Sequence, residues 1–329
     1  MSSEKSITIY ERKTDFMQIS KKNTAIRKPN KFISYMKSEG ALYVMLLLPL
    51  VYYLVFHYAP MYGVTIAFKD YNPFVGIFES EWIGLEVFKE IFRMKEFARA
   101  VRNTLMLNLM NILFGFPIPV LIAIMLNEVR QTRLKKVFQT VLYLPHFISW
   151  VIIGGLVYQI FSESYGMVNS FITSLGMERV PFLSSKPHWI ALYYFTHVWQ
   201  SAGWGAIIYL AAITSIDPQL YEAAAIDGCG RVRMMWNITL PSIRGTVVTM
   251  FILTIGKVMN IGLDQPMMLG NVLVEDVSDV ISTFVYRVGI QSGKFSVGTA
   301  VGLFQSVISI IMILISNTVA NKLGEDGIW

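Results

Sequence analysis

From Ser296 to Thr318 the chain runs without a single Asp, Glu, Lys or Arg. About 20 apolar residues make a helix that crosses the roughly 30 Å hydrocarbon layer of a bilayer. This is the cleanest of six such stretches, at about 41–60, 104–127, 141–161, 189–215, 243–263 and 296–319. In lipid, each backbone amide and carbonyl must find its partner inside the segment, so these stretches are expected as helices. Hydrophobic residues make up 54% of the chain and charged ones only 15%. The expected fold is an all-α integral membrane protein: a six-helix transmembrane domain over 41–329, preceded by a basic tail over 1–40.

The distribution of basic residues orients the spans. Cytoplasmic loops collect Lys and Arg. With both termini inside, the inner segments carry seventeen basic residues and the outer ones ten. The short loop at 128–140 decides the matter, with Arg130, Arg133, Lys135 and Lys136 against Glu128 alone. The net charge of +6 therefore belongs to span-flanking segments and the tail, where it meets lipid headgroups. It does not indicate a nucleic acid partner. Outside, Leu85, Phe88, Ile91, Phe92, Phe97 and Val101 recur at helical spacing. They predict an amphipathic segment over 82–102 lying along the outer membrane surface.

Several chemistries are excluded. No phosphate-binding G-x-x-x-x-G-K-[ST] loop occurs, and Gly289 to Gly293-Lys294-Phe295 has the wrong spacing. The four histidines are scattered, and Cys229 is the single cysteine, so neither a metal cluster nor an internal disulfide is expected. His146 and Trp150, four apart, read as one packed face of the third span. A chain that moves something uphill without binding ATP needs a partner or an ion gradient for energy.

The one substantial polar interruption lies at 216–241. Asp217-Pro218 is a helix start: an N-cap followed by a residue that needs no amide donor. Gln219 to Asp227 is rich in good helix formers. Gly228 suits the left-handed residue that ends a helix. A second short helix is expected from Gly230 to Thr239, with Pro241 opening the fifth span. This is a cytoplasmic elbow: Ala223, Ala224 and Ala225 keep one face small, and Glu222 and Asp227 place charge at its edges.

The order Glu222-Ala223-Ala224, Asp227-Gly228, Ile238 and Leu240-Pro241 resembles the EAA loop of ATP-binding-cassette (ABC) importer permeases. Cys229 and Trp236 depart from it, standing where a small residue and Phe are usual. Phe56 to Gly63, Ala67 to Pro73, Tyr143 to Trp150 and Asp279 to Arg287 are similar to the multiple-sugar and polysaccharide permeases of Gram-positive bacteria. The resemblance runs from about residue 40 to the C-terminus. It implies the type I importer permease fold and a non-enzymatic role: the channel-forming subunit that imports an oligosaccharide across the plasma membrane by alternating access. It also implies partners: a second, homologous permease in a heterodimer, two cytoplasmic ATP-binding subunits, and an extracellular lipid-anchored sugar-binding protein. ATP and magnesium would be held by the ATP-binding subunits, leaving no cofactor in this chain. The residues it assigns to ATPase docking are Glu222, Ala223, Ala224, Asp227, Gly228 and Arg231.

For the substrate path, polar and aromatic groups at membrane depth are the candidates, because sugars stack on rings and hydrogen-bond through hydroxyls. The fourth span offers His197, Trp199, Gln200 and Trp204, and the fifth offers Lys257, Asn260, Asp264 and Gln265, with Tyr158 from the third. Trp199 and Gln200 face either the path or a neighbouring helix. Lys257 is expected to snorkel towards the outer interface rather than touch substrate. Two other readings stand beside import. A gradient-driven transporter would place ionisable groups in broken midplane helices, and these spans are nearly charge-free. A membrane scaffold would bind no ATPase.

Overall fold

The computed structural model describes residues 31–322 together with Gly324 and Gly327. Most of the basic tail expected over 1–40 lies outside the described residues. The chain divides at Tyr62/Gly63 into two units. The first holds α1 (Lys31–Tyr53), with Pro49 inside it, followed by a π turn at Leu54–Tyr58. Within it the rings of Tyr53 and His57 stack with centroids 4.9 Å apart. The helix begins at Lys31, ahead of the boundary at 40.

In the second unit, a two-residue antiparallel ladder comes first, with β1 (Lys69–Asp70) against β2 (Glu81–Trp82). Ser296 secures it: its hydroxyl donates to the Lys69 carbonyl (2.7 Å) and accepts from the Tyr71 amide (3.1 Å). Helices α2 (Glu86–Arg93) and α3 (Lys95–Met110) follow. The amphipathic segment expected over 82–102 is thus two helices, divided at Met94, whose backbone is extended. Its apolar residues divide: Ile91 and Phe97 are buried in protein, while Leu85 and Phe92 stay exposed. Ile91 and Phe97 pack with Phe284 and with Val301 of the last helix.

Helix α3 continues through a π turn at Asn111–Gly115 into α4 (Pro117–Glu128). Then come α5 (Thr132–Tyr143), α6 (Trp150–Phe161), α7 (Met167–Ser174) and α8 (Lys186–Thr214). The remainder comprises α9 (Pro218–Ile226), α10 (Arg231–Met234), α11 (Arg244–Gly256), α12 (Asp264–Leu269), α13 (Ile281–Phe284) and α14 (Phe295–Lys322). Three continuous stretches, Gly40–Phe68, Lys95–Glu128 and Phe295–Lys322, are long and apolar enough to cross a membrane, and two bent helix pairs bring the number to five. Helix α8 is long enough for a sixth but less apolar than those five. Its 29 residues span roughly 43 Å at 1.5 Å each.

Two spans expected as straight helices are broken. The third bends by 98° between Thr132–Phe147 and Trp150–Phe161. Ile148 and Ser149 are extended at the corner, and Ser149 caps the new helix by accepting from the Ile152 amide. His146 and Trp150 therefore do not share a helix face. The fifth bends by 62° at Ile243, two residues after Pro241, which sits in the end of the preceding helical stretch. It then stops at Gly256, short of the expected 263, and residues 260–262 carry no regular structure. Side-chain amides take up the freed carbonyls. Asn108 Nδ2 donates to Val258 O (2.8 Å) and Gln305 Nε2 to Met259 O (2.7 Å). Unwound backbone at membrane depth is tolerated only where such partners or a cavity receive it.

Helix α4 lies along α8, and their apolar core holds Ala123, Ala206 and Tyr209. Small residues permit the closest approaches, as is usual between membrane helices. A Cβ on Gly203 of α8 would stand 1.9 Å from the Leu142 carbonyl oxygen of α5. A second core joins Leu107, Ile153, Trp189 and Leu269 between α3, α6, α8 and α12.

Candidate functional site

Two features stand out: the elbow at 216–242 and a cavity where the fifth span unwinds. The elbow begins as its residues dictate. Asp217 Oδ1 accepts from the Gln219 amide at 2.9 Å, and Pro218 opens α9. At the other end the Cys229 amide reaches back to Ala224 O (2.9 Å) and the Gly228 amide to Ala225 O (3.1 Å). That is the paired bonding of a left-handed helix stop, and Gly228 takes φ +76°. The next arm is longer than the expected Gly230–Thr239 helix. It runs helically from Arg231 to Ser242, through a π turn at Met235–Thr239 that precedes Pro241. Loss of the proline amide is what loosens the ladder there.

Tyr221 joins the two arms, its hydroxyl lying 2.9 Å from Thr239 Oγ1. With that tie in place the outer side of the elbow is fully presented. Glu222, Ala223, Asp227, Gly228 and Arg231 are all exposed, and Ala224 is half-buried. Four large apolar side chains accompany them: Leu220, Ile226, Val232 and Trp236, with Ile226 88% exposed. Sequence reasoning singled out the small and charged positions and missed these apolar ones. Val232 and Ile226 lie in short polar surroundings where periodicity carries no signal.

The cavity measures about 610 Å³ and is walled by α3, α6, α8, α11 and the unwound segment after Gly256. Gln200, Asn260 and Asp264 line it as expected, and so do His197 and Gln265. Trp199, Trp204 and Tyr158 do not form part of its wall. Trp204 instead stacks flat on His146, with centroids 4.6 Å apart and planes 5° apart. That contact, and not a helix face shared with Trp150, is what holds the His146 ring, whose buried Nδ1 has no hydrogen-bond partner. Trp150 turns to the cavity wall. Lys257 also lines the cavity rather than projecting beyond the end of a straight helix. The difference follows from the stop at Gly256.

Part of the wall is fixed by internal bonds. His197 Nδ1 lies 2.9 Å from Gln265 Oε1, and Gln265 Nε2 donates to Tyr193 O at 2.9 Å. Gln200 Nε2 donates to His146 O, and the Tyr194 hydroxyl to Leu107 O. The side chains of Asn111, Lys257, Asn260 and Asp264 make no hydrogen bond or ion pair among the described residues, so their polar atoms are available to a guest. Asn108 and Asn111 were not anticipated from sequence. Their spacing of three within an apolar run, one helix turn, was the signal that could have found them.

A charged cluster closes the region around 275–287. Asp279, its side chain only 2% exposed, receives Arg287 at 2.8 Å and Arg99 at 3.2 Å. Thr283 Oγ1 donates to its other oxygen at 2.8 Å. Next to it, hydrogen bonds from Lys186 and Arg102 hold the Asp276 carboxyl below the usual carboxylate range. These bonds tie α3 and the start of α8 to the segment before α13.

Known proteins share this fold. Residues 98–324 match the family model described as "Binding-protein-dependent transport system inner membrane component". Protein LplB of Bacillus subtilis (strain 168) is 42% identical over 312 residues, covering 94% of this chain and 98% of its own. The polygalacturonan/rhamnogalacturonan transport system permease protein YteP of the same organism is 44% identical over 302 residues, 92% and 94% of the two chains. Among solved structures, a bacterial ABC transporter involved in the import of the acidic polysaccharide alginate superposes with a TM-score of 0.81 at 38% identity. It covers 89% of this chain and 99% of that one. The bacterial alginate ABC transporter in complex with its pentasaccharide-bound periplasmic protein gives 0.82 at 37%, covering 91% and 100%.

Proposed function

The chain belongs to the family of binding-protein-dependent transport system inner membrane components, and on that premise we propose how it works as the permease of an oligosaccharide importer. It is a membrane permease subunit of an ABC transporter and not an enzyme; ATP hydrolysis falls to separate subunits. A solute-binding protein hands it the sugar.

The elbow is where the ATP-binding subunits dock. The observation that carries this is the exposed set of Leu220, Ile226, Val232 and Trp236 around Glu222 and Asp227 on a braced turn. Large apolar side chains clustered outside the spans mark a protein interface. The basic loop at 128–140 supports a cytoplasmic position for the elbow and both termini, in the plasma membrane of a Gram-positive bacterium. The complex then contains a second, homologous permease, two ATP-binding subunits that hold ATP and magnesium, and a lipid-anchored binding protein outside. This chain carries no cofactor of its own. Closure of the ATPase pair moves α9, and the bent fifth span transmits that motion to the unwound wall of the cavity. The cavity is the sugar path, with Gln200, Asn260 and Asp264 on its wall.

Two substitutions in the purified, reconstituted complex test the docking. Glu222→Lys reverses the edge charge, and Gly228→Val forbids the left-handed stop. Both are expected to lower uptake and transport-linked ATP hydrolysis together. Unchanged uptake and hydrolysis in a fully assembled complex would refute it.

A further inference from the structure

Lys257 is the one Lys or Arg on the cavity wall among the described residues, and Asp264 the one acidic side chain. Neither is paired with the other or with any other group among the described residues. The position of Lys257 at the C-terminal end of α11 would suit a cation, because helix carbonyls converge there. Its ammonium nevertheless bonds none of them. The Thr254 and Ile255 carbonyls of the last turn accept from the Lys257 and Val258 amides, and in the turn beyond it the Val258 and Met259 carbonyls are taken by Asn108 and Gln305. Backbone satisfaction therefore does not account for this lysine.

We propose that Lys257 reads a carboxylate on the cargo, so that the path selects an acidic, uronate-containing saccharide over its neutral counterpart. The proposal rests on the import reading given above. An ammonium offers three donors, and a charge-assisted hydrogen bond is shorter and roughly twice as strong as a neutral one. A neutral sugar filling the cavity would strip water from the ammonium and return only hydroxyl contacts, which favours exclusion of that sugar. The rest of the wall suits a sugar ring. Trp150 and Tyr194 supply aromatic surface, the free amides of Asn111 and Asn260 can meet hydroxyls, and Asp264 can accept from a pair of them. One cation and one anion on opposite duties also keep the empty cavity close to neutral.

The test uses the whole transporter in proteoliposomes with its binding protein. The probes are trimers of galacturonate, mannuronate and glucuronate, each beside its methyl ester, with maltotriose as a neutral control. Wild type is expected to take up at least one acid at about ten times the rate of its ester, the size of one charge-assisted contact. Lys257→Gln is expected to lose about tenfold on that acid and to bring acid and ester together. Lys257→Arg, which keeps the charge, is expected to restore the preference. An undiminished preference in Lys257→Gln, or no rescue by Lys257→Arg, would overturn the assignment. A wild type that moves only uncharged trimers would overturn it and leave import standing. A complex that moves no saccharide at all would instead overturn the import reading.

Discussion

The hydroxyl of Tyr221 lies 2.9 Å from Oγ1 of Thr239 and spans the mouth of the elbow, joining the helix that carries Glu222 to the helix that leads into the fifth span. Thr239 is buried and Tyr221 half-buried. On the docking proposal, a push on α9 would reach the membrane helix through this bracket rather than through a loop alone. Tyr221→Phe is expected to cost about 1 kcal/mol and to loosen that bracket. ATP hydrolysis should then continue with fewer sugars moved per ATP. Thr239→Val should do the same, and the double variant should add little, because both remove one bond. Uptake and hydrolysis measured on one preparation check this; additive losses would contradict it.

Gly203 is set against the Leu142 carbonyl so closely that even a methyl group has no room. The obstacle is backbone, which cannot rotate aside as a side chain would. Gly203→Ala is expected to destabilise the complex by about 1–3 kcal/mol as overpacking does. Gly155→Ala, where nothing stands within 4 Å, should be near neutral. Thermal unfolding in detergent separates the two.

Asp279 and Asp276 lie three residues apart and should respond differently. Removing Asp279 takes one carboxylate from Arg99 and Arg287 and leaves both paired with Glu275 alone. Asp279→Ala is expected to fall below the roughly 3–5 kcal/mol of a fully buried pair, because both arginines retain some solvent. Asp276 is a matter of pH. Its folded carboxyl titrates lower than in the unfolded chain, so its contribution is complete above the unfolded value, near pH 4. It is lost as pH falls through the lowered folded value. Asp276→Asn should flatten that acid limb of a stability profile and leave neutral pH little changed.

How much of this was legible in the sequence follows from what periodicity and composition can report. The apolar stretch from Ser296 to Thr318 announced α14, and Asp217-Pro218 with Gly228 announced the ends of α9, because capping is local chemistry. The corner at Ile148-Ser149 was hidden inside an apolar run, where hydropathy stays high on both sides of a bend. The stop at Gly256 was hidden for another reason. It depends on Asn108 and Gln305, distant in sequence, to satisfy the carbonyls it frees. That stop moved Lys257 from an expected interface into the cavity. Trp199, Trp204 and Tyr158 missed the cavity because composition shows which residues are aromatic and not which way a helix face turns.

Cross-linking from the tip of the elbow tests its role as the ATPase docking point most directly. Cys229 is the single cysteine, so Cys229→Ser gives a background without thiols in this chain, and Ile226→Cys places one on the most exposed apolar position of the elbow. In the assembled complex, a short thiol-reactive cross-linker is expected to join Ile226→Cys to an ATP-binding subunit, with a yield that changes when ATP is bound. An assembled complex giving no such adduct, or joining position 226 to the solute-binding protein, would contradict the docking assignment.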